Sequence, residues 1–391
     1  MANFSCGADA PDGGMFGEIN DQLTQLRATH APDRRTDRVE VEAVERADSL
    51  ILRGYTTVPA AREQFRAWAQ DNPLVVDSTR LLIPGDTGED YGLVRVSVAN
   101  IRTEPGHSRE LTSQALMGTP LQVLDEQNGW YLIRTPDRYL AWLEGGAFTR
   151  MDRATVVGWF NDDLRSCVPA QSTVLSEPGG GRVVSELVAG NLMQTSGRRQ
   201  AEYDEVTLPD GRMGWVPTND LQPYRTLATP TEVRVPDIIA TAFAQVGKPY
   251  LWGGTSPKAM DCSGFTKTAY YLNGYVIPRD ASQQVHAGTE IPLDSAYSQL
   301  LRGDLLFFGN HRPDGSERVT HVGFYLEDGR FLHAGADNDY ITENSLMEDD
   351  PDYAPHRRES LLRARRLRES GAGVVPIDSA FRAIYTRSSS R

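Results

Sequence analysis

No run in the 391-residue sequence comes near the roughly 18–20 consecutive apolar residues that a membrane-spanning helix requires. Positive charge is also short, with 40 Lys and Arg against 53 Asp and Glu, a formal charge of −13. Nucleic-acid binding needs clustered Lys and Arg against phosphate, so that class of partner is excluded. The deficit says little about a peptide substrate, for which only the charges in the cleft matter. Cysteine is rarer still. Cys6, Cys167 and Cys262 form an odd, sparse set that cannot make a disulfide framework. Cys167 is expected to pack as a small apolar side chain. Cys6 precedes a run rich in Gly, Ala and Asp (Gly7 to Gly14) that resembles the start of a mature lipoprotein, but Met1 to Ser5 supply no apolar signal region. It is read as an ordinary residue of a flexible leader, the alternative being the lipoprotein cysteine of a longer precursor. With 39% hydrophobic residues the composition is that of a soluble globular protein, and the length predicts roughly two to four domains.

Residues 1–14 read as that leader and 15–90 as a mainly helical segment. Phe16, Ile19, Leu23 and Leu26 follow helical spacing, Val39 to Val44 make one short strand, and Pro59 opens a second helix carrying Phe65 and Trp68. A bracing role is expected there. Short β-runs then begin at Leu93–Val98, Leu121–Leu124, Tyr131–Arg134 and Tyr139–Trp142, the pattern of a small barrel. The pattern recurs. Pro105 and Pro178, Pro136 and Pro209, and Trp142 and Trp215 are each 73 residues apart, which predicts a duplication. The copies, 91–151 and 152–225, resemble bacterial SH3-like domains. A linker at 226–235 leads to a third region, 236–369, whose first helix starts at Pro236 with Ile239, Phe243 and Val246 on one face and stops at Gly247. The tail, 370–391, reads as disordered.

The chemistry concentrates in the third region. Asp261-Cys262-Ser263-Gly264-Phe265 runs into a helix whose Phe265, Ala269 and Leu272 share a face, so Cys262 sits at or just before a helix N-terminus. Free N–H groups and the helix dipole there favour thiolate and can receive an oxyanion. Thr320-His321-Val322-Gly323-Phe324-Tyr325 reads as a strand, Glu327-Asp328-Gly329 as a turn, and Arg330 to Ala334 as the return strand. A three-residue loop pairs Leu326 with Arg330 and therefore Gly323 with His333, leaving His321 and His333 on one face. A nucleophile needs a base, and the base needs an orienting partner. His321 and His333 fit those roles. The competing use of Cys262, His321 and His333, a zinc site, matches no short zinc motif, and no metal or other cofactor is expected.

These segments, with Gly247-Lys248-Pro249-Tyr250-Leu251-Trp252-Gly253-Gly254 and Gly303-Asp304-Leu305-Leu306-Phe307-Phe308, resemble the NlpC-type cell-wall cysteine peptidases in content and order. The resemblance implies an α+β papain-like peptidase domain preceded by two all-β SH3-like barrels. It makes Cys262 the nucleophile, His321 the base, His333 the orienting residue and Tyr250 a neighbour of the oxyanion site. Two SH3-like domains ahead of the peptidase are similar to the γ-D-glutamyl-L-diamino acid endopeptidases of the dipeptidyl-peptidase VI type. Those enzymes release L-Ala-γ-D-Glu from stem peptides with a free N-terminal L-Ala, and their first SH3-like domain closes one end of the cleft.

That resemblance implies a pocket for the free amine. The register supports Tyr139 as a member, because the matching position in the second copy is Arg212 and the barrel itself does not require Tyr. Glu104 or Glu110 is the acidic partner, Glu104 being weakened by Glu177 at the matching position. Asp280 reads as a helix cap with Gln283 at the third helical position, and the resemblance adds a substrate-amine role. Ser263 is a candidate contact for the D-Glu carboxylate. Arg138 stands where this subset often has Gly, and Ala281 where it often has Ser. The expected partners are peptidoglycan-derived peptides, bound by a monomer; the compartment is not readable. The alternatives are an endopeptidase on intact wall with the SH3-like domains as anchors, or an inert wall-binding protein.

Overall fold

The computed structural model describes residues 15–85 and 88–386, so the expected leader with Cys6, and Ser388 to Arg391, lie outside the described residues. The chain separates into two units, 1–84 and 85–391. No helix among the described residues is long and apolar enough to cross a membrane.

In the first unit, helices Met15–His30 and Pro59–Asp71 accompany a three-stranded sheet of Val39–Arg46, Ser49–Thr56 and Val75–Leu81. The first two strands pair antiparallel and the last two parallel, with Pro59–Asp71 as the crossover that a parallel pair needs. Leu23, Leu26, Val41, Leu50, Leu52 and Phe65 form its core. Only one of these strands was expected. Ser49–Thr56 buries Leu50 and Leu52 but carries Arg53 and Gly54, and Val75–Leu81 buries only Val75 and Thr79 among polar residues. Both patterns are too broken for alternation to reveal a strand.

The second unit opens with two seven-stranded sheets. The first contains Tyr91–Val94, Val98–Arg102, Leu111–Leu116, Pro120–Gln127, Trp130–Arg134, Leu140–Glu144 and Phe148–Met151. The second contains Leu164–Cys167, Gln171–Glu177, Gly180–Val188, Leu192–Gln200, Tyr203–Thr207, Met213–Pro217 and Leu221–Pro223. Numbered along the chain, both have the strand order 7-1-4-5-6-2-3. The offset of 73 carries Tyr91–Val94 onto Leu164–Cys167 and Leu140–Glu144 onto Met213–Pro217, so the spacing of the proline and tryptophan landmarks is the spacing of the strands. Cys167 lies in the second sheet's core, and burial pushes its thiol pKa up to about 12.

A six-stranded antiparallel sheet follows, in the order Thr289–Ile291, Leu361–Arg366, Leu305–His311, Glu317–Tyr325, Arg330–Gly335 and Tyr340–Ser345. Helices Val235–Phe243 and Cys262–Tyr271 pack on it through Ile239, Phe265, Ala269, Phe307, Phe324 and Leu332. The first of these helices ends earlier than expected. It buries Ile238, Ile239 and Ala242, and Val246 lies beyond its end and exposed. The tail also differs from its expectation. Ile377–Tyr385 is a helix whose Ile377, Ala380, Phe381, Ile384 and Tyr385 are buried. Tyr385 stacks on Phe160, and the Gln122 amide donates to the Ile384 carbonyl at 2.7 Å. The 0, 3, 4, 7, 8 spacing of those five residues is an amphipathic stripe, which the polar chain end obscured.

Candidate active site

Cys262 is the first residue of helix Cys262–Tyr271, and Asp261 caps it by accepting from the Gly264 N–H at 2.7 Å. Gly264 is required sterically, since a Cβ there would stand 1.9 Å from the Gly254 carbonyl oxygen. The same Asp261 carboxylate accepts from the Gly253 N–H at 3.0 Å and from the Arg279 guanidinium at 2.6 and 3.1 Å. Arg279 is 1% exposed, donates to Ser263 Oγ at 2.9 Å, and reaches Ser113 Oγ of the first seven-stranded sheet at 3.2 Å. A buried guanidinium is tolerated only when its donors are matched in this way. Ser263 also donates to Asp261 at 3.3 Å, so its hydroxyl is already engaged in both senses.

The two histidines arrive on the predicted hairpin. Phe324 pairs with Leu332 and Tyr325 with Phe331, and the Leu326 N–H donates to the Arg330 carbonyl at 2.9 Å. Gly329 has φ +77°, the left-handed turn position. Continued, this register sets Gly323 against His333, where any Cβ would meet that of His333 at 3.0 Å. His321 and His333 are buried, and His321 Nε2 lies 2.9 Å from His333 Nδ1. These nitrogens are within hydrogen-bond distance of each other. No cluster of three metal-ligating side chains occurs among the described residues.

Burial first, then Asp261, pushes the Cys262 thiol pKa up to about 12, opposed by hydrogen bonding from the backbone of Val322 and Ser263 and by the charge of Arg279. Burial, then the neighbouring His333 and Arg357, holds His321 well below the ordinary histidine range. Desolvation and Asp261 thus oppose the helix N-terminus at Cys262, while burial disfavours the charged form of His321. Bonding from Val322, the residue after His321, brings the thiol to the histidine strand. Tyr250 packs half-buried against the same core; burial and then Cys262 raise its pKa, so its hydroxyl stays a donor. A buried thiol, a neutral base with a hydrogen-bonded partner, and donors at a helix start are the parts of thiol-based acyl transfer.

One edge of this site is covered by the first seven-stranded sheet. Gln114 and Thr255 exchange three hydrogen bonds of 2.9–3.0 Å. Tyr139, 5% exposed, donates to Asp280 Oδ2 at 3.2 Å and lies 2.7 Å from Thr112 Oγ1. The carboxylate only accepts, so Thr112 is the donor to Tyr139. Asp280 caps helix Ala281–Gln284, with the Gln283 side chain accepting from its N–H at 3.2 Å. Glu110 accepts from the indole N–H of Trp252 at 2.7 Å. Glu104 is not brought into this group, and its carboxylate pairs with Arg109 at 3.2 Å, both side chains more than half exposed. Arg138 takes up φ +67°, the conformation glycine adopts most readily. At the position that matches Tyr139 in the second copy, Arg212 instead donates to the Val184 and Arg95 carbonyls, so the repeats use that position differently.

Two members escaped sequence reading. Arg279 sat unremarked between a proline and the capping Asp280. Asn344, whose Oδ1 lies 2.8 Å from His333 Nε2, is on the next strand. There His333 pairs with Thr342, and Asn344 follows two residues later on the same face. The register of that second hairpin is the signal that could have found it.

A helix with a cysteine at its N-terminus, packed on an antiparallel sheet that carries the histidines, defines a papain-like α+β fold. Residues 247–354 match the NlpC/P60 family, and residues 97–148 match the bacterial SH3 domain. The chain is 32% identical over 192 residues to a probable endopeptidase of Corynebacterium glutamicum, covering 48% of this chain and 82% of that protein. It is 29% identical over 267 residues to dipeptidyl-peptidase 6 of Lysinibacillus sphaericus, covering 67% and 93%. It is 28% identical over 236 residues to the gamma-D-glutamyl-L-lysine dipeptidyl-peptidase of Bacillus cereus, covering 58% and 68%. A solved NlpC/P60 family protein from Bacillus cereus shares the fold, with a TM-score of 0.58 at 24% identity over 71% of this chain and 99% of that one. The chain belongs to the NlpC/P60 family.

Proposed function

We propose that the protein is a cysteine peptidase that hydrolyses the γ-D-glutamyl–diamino acid bond of peptidoglycan stem peptides with a free N-terminal L-Ala. Relatives of this specificity by name support the bond. The observation that carries the free amine is the Tyr139–Asp280 hydrogen bond, which joins the first seven-stranded sheet to the peptidase fold beside the Cys262 helix.

Cys262 is the nucleophile. His321 takes its proton as the sulfur attacks the γ-amide carbonyl, because a thiol this buried does not ionise alone. The tetrahedral oxyanion is received by N–H groups at the start of the Cys262 helix, with Tyr250 as a second donor. Collapse breaks the C–N bond, and the leaving amine of the diamino acid takes the proton from His321. Water, activated by the same imidazole, then hydrolyses the thioester and releases L-Ala-γ-D-Glu. His333 holds the His321 ring throughout. Tyr139, Asp280 and Glu110 surround the ammonium of L-Ala and replace its lost hydration. Glu104 is engaged elsewhere. Ser263 acts by bracing Arg279 and Asp261 at the D-Glu end.

The test is mass-spectrometric detection of L-Ala-γ-D-Glu from a synthetic L-Ala-γ-D-Glu-diamino acid peptide. The dipeptide is expected with wild type and absent with Cys262→Ser at equal folding. Cleavage at another bond, or equal turnover by the variant, overturns the reading. Release from intact wall without release from the free peptide would favour a wall endopeptidase anchored by its barrels.

A further inference from the structure

We infer that Asn344 is a positioning residue that fixes the tautomers of both active-site histidines and so sets which nitrogen of His321 is the base. The inference rests on the peptidase reading above and extends it past the orienting histidine. It follows from donor and acceptor bookkeeping along one chain of hydrogen bonds.

The chain begins at a backbone carbonyl. The Asp352 carbonyl can only accept, and Asn344 Nδ2 donates to it at 3.2 Å. That orients the amide and turns Oδ1 toward His333, and the Asn338 amide donates to the same Oδ1 at 3.1 Å. Oδ1 can only accept, so His333 Nε2, 2.8 Å away, must carry its hydrogen. Burial pushes the pKa of His333 down to about 4, so the ring is neutral at pH 7 and holds one proton. Its Nδ1 is then a bare acceptor, and His321 Nε2, 2.9 Å away, must be the donor. Neutral His321 has its single proton on Nε2, which leaves the lone pair on Nδ1 to receive the thiol proton.

Without the Asn344 oxygen this polarity is lost. His333 can then carry its proton on Nδ1, which reverses the bond and makes His321 Nε2 the acceptor. The basic nitrogen of His321 is then spent on His333. The groups that bear on this pair are Asp337, His356 and Arg357. Asp337 accepts from Arg357 at 3.0 Å and lies 2.9 Å from His356. None of them supplies the acceptor that the His333 Nε2 hydrogen uses.

The experiment compares wild type, Asn344→Leu and Asn344→Asp in three readouts: ¹⁵N imidazole spectra, kcat and KM on the free-amine peptide, and alkylation of Cys262 by iodoacetamide across pH. Wild type should show His321 and His333 both protonated at Nε2. Asn344→Leu should give mixed tautomers, a kcat reduced roughly 10- to 100-fold as for loss of an outer hydrogen-bond partner that orients a functional histidine, and an unchanged KM. Asn344→Asp keeps an acceptor toward His333. It should hold the wild-type tautomers, recover part of the lost kcat, and move the acid limb of alkylation upward by about one pH unit, as a nearby carboxylate does. Asn344→Leu with wild-type spectra overturns the inference whatever its kcat, because a structural role lowers rate without moving tautomers. If Asn344→Leu does not fold, Asn344→Asp decides: mixed tautomers there overturn the inference and retained ones support it. Spectra and alkylation need no substrate, so a wrong substrate reading would appear as absent hydrolysis with the tautomers still as stated.

Discussion

Replacing Lys267 by Met tests the hold of the first seven-stranded sheet on the nucleophile helix. Lys267 lies on helix Cys262–Tyr271, and its ammonium sits 2.8 Å from Asp137, with side chains 15% and 2% exposed. Burial pushes the Asp137 carboxyl up, but the charge and hydrogen bond of Lys267, with a bond from Thr135, outweigh it and hold the pKa below the ordinary range. Removing one member of a buried pair strands the other, at a cost of about 3–5 kcal/mol. A ceiling exists, because the stranded carboxyl can protonate. At pH 7 that costs about 4 kcal/mol for an acid of ordinary pKa. A loss of about 3–4 kcal/mol corresponds to a fall of roughly 5–6 °C in Tm for a unit spanning 85–391, read by circular dichroism. The pH dependence carries a further sign. In wild type the pair's contribution is present above the unfolded carboxyl pKa and is lost as pH falls through the depressed folded value. In Lys267→Met the folded pKa is raised instead, so this site should gain stability as pH falls from 7 toward 5. Asp137→Leu added to Lys267→Met should restore much of the loss. An unchanged Tm, or a double variant no better than the single, would refute the reasoning.

The other predictions concern the site. Tyr139→Phe removes a hydrogen bond to a charged carboxylate, worth about 1.5–3 kcal/mol. It should cut kcat/KM on the free-amine peptide roughly 10- to 150-fold while leaving iodoacetamide labelling of Cys262 unchanged. Glu110→Gln should raise KM for that peptide and Glu104→Gln should not, since only Glu110 reaches the group around Trp252; the reverse order, read from steady-state kinetics, would exchange their roles. His321 is held well below the ordinary histidine range, so the base stays neutral as pH falls, and the acid limb of kcat/KM should lie below about pH 6. A limb at 6.5 or above contradicts a buried neutral base.

How much of this was legible depended on how local each signal was. The histidine hairpin was readable because a short turn and a period of two fix register. The duplication was readable because Trp142 and Trp215 lie on corresponding strands and Pro136 and Pro209 lie in the turns just before them. Contacts between distant segments were not readable. Arg279 to Ser113 spans 166 residues and Lys267 to Asp137 spans 130, and neither pair has a local pattern. What opposes the helix N-terminus at Cys262 was not readable, because the helix start is visible in sequence and the depth of burial is not. The buried tail helix was missed for a different reason. Its apolar stripe was present, but the Ser- and Arg-rich end weighed more in the reading.

The central claim is that Tyr139, Asp280 and Glu110 close the cleft around a free amine. The most direct measurement is the ratio of kcat/KM for L-Ala-γ-D-Glu-diamino acid to that for its N-acetylated twin. The acetyl group removes the charge that the carboxylates compensate and adds bulk at a closed end, so the free peptide should win by at least about 10-fold, the lower end of the worth of one charged hydrogen bond. Equal rates on the two peptides would contradict the closed pocket.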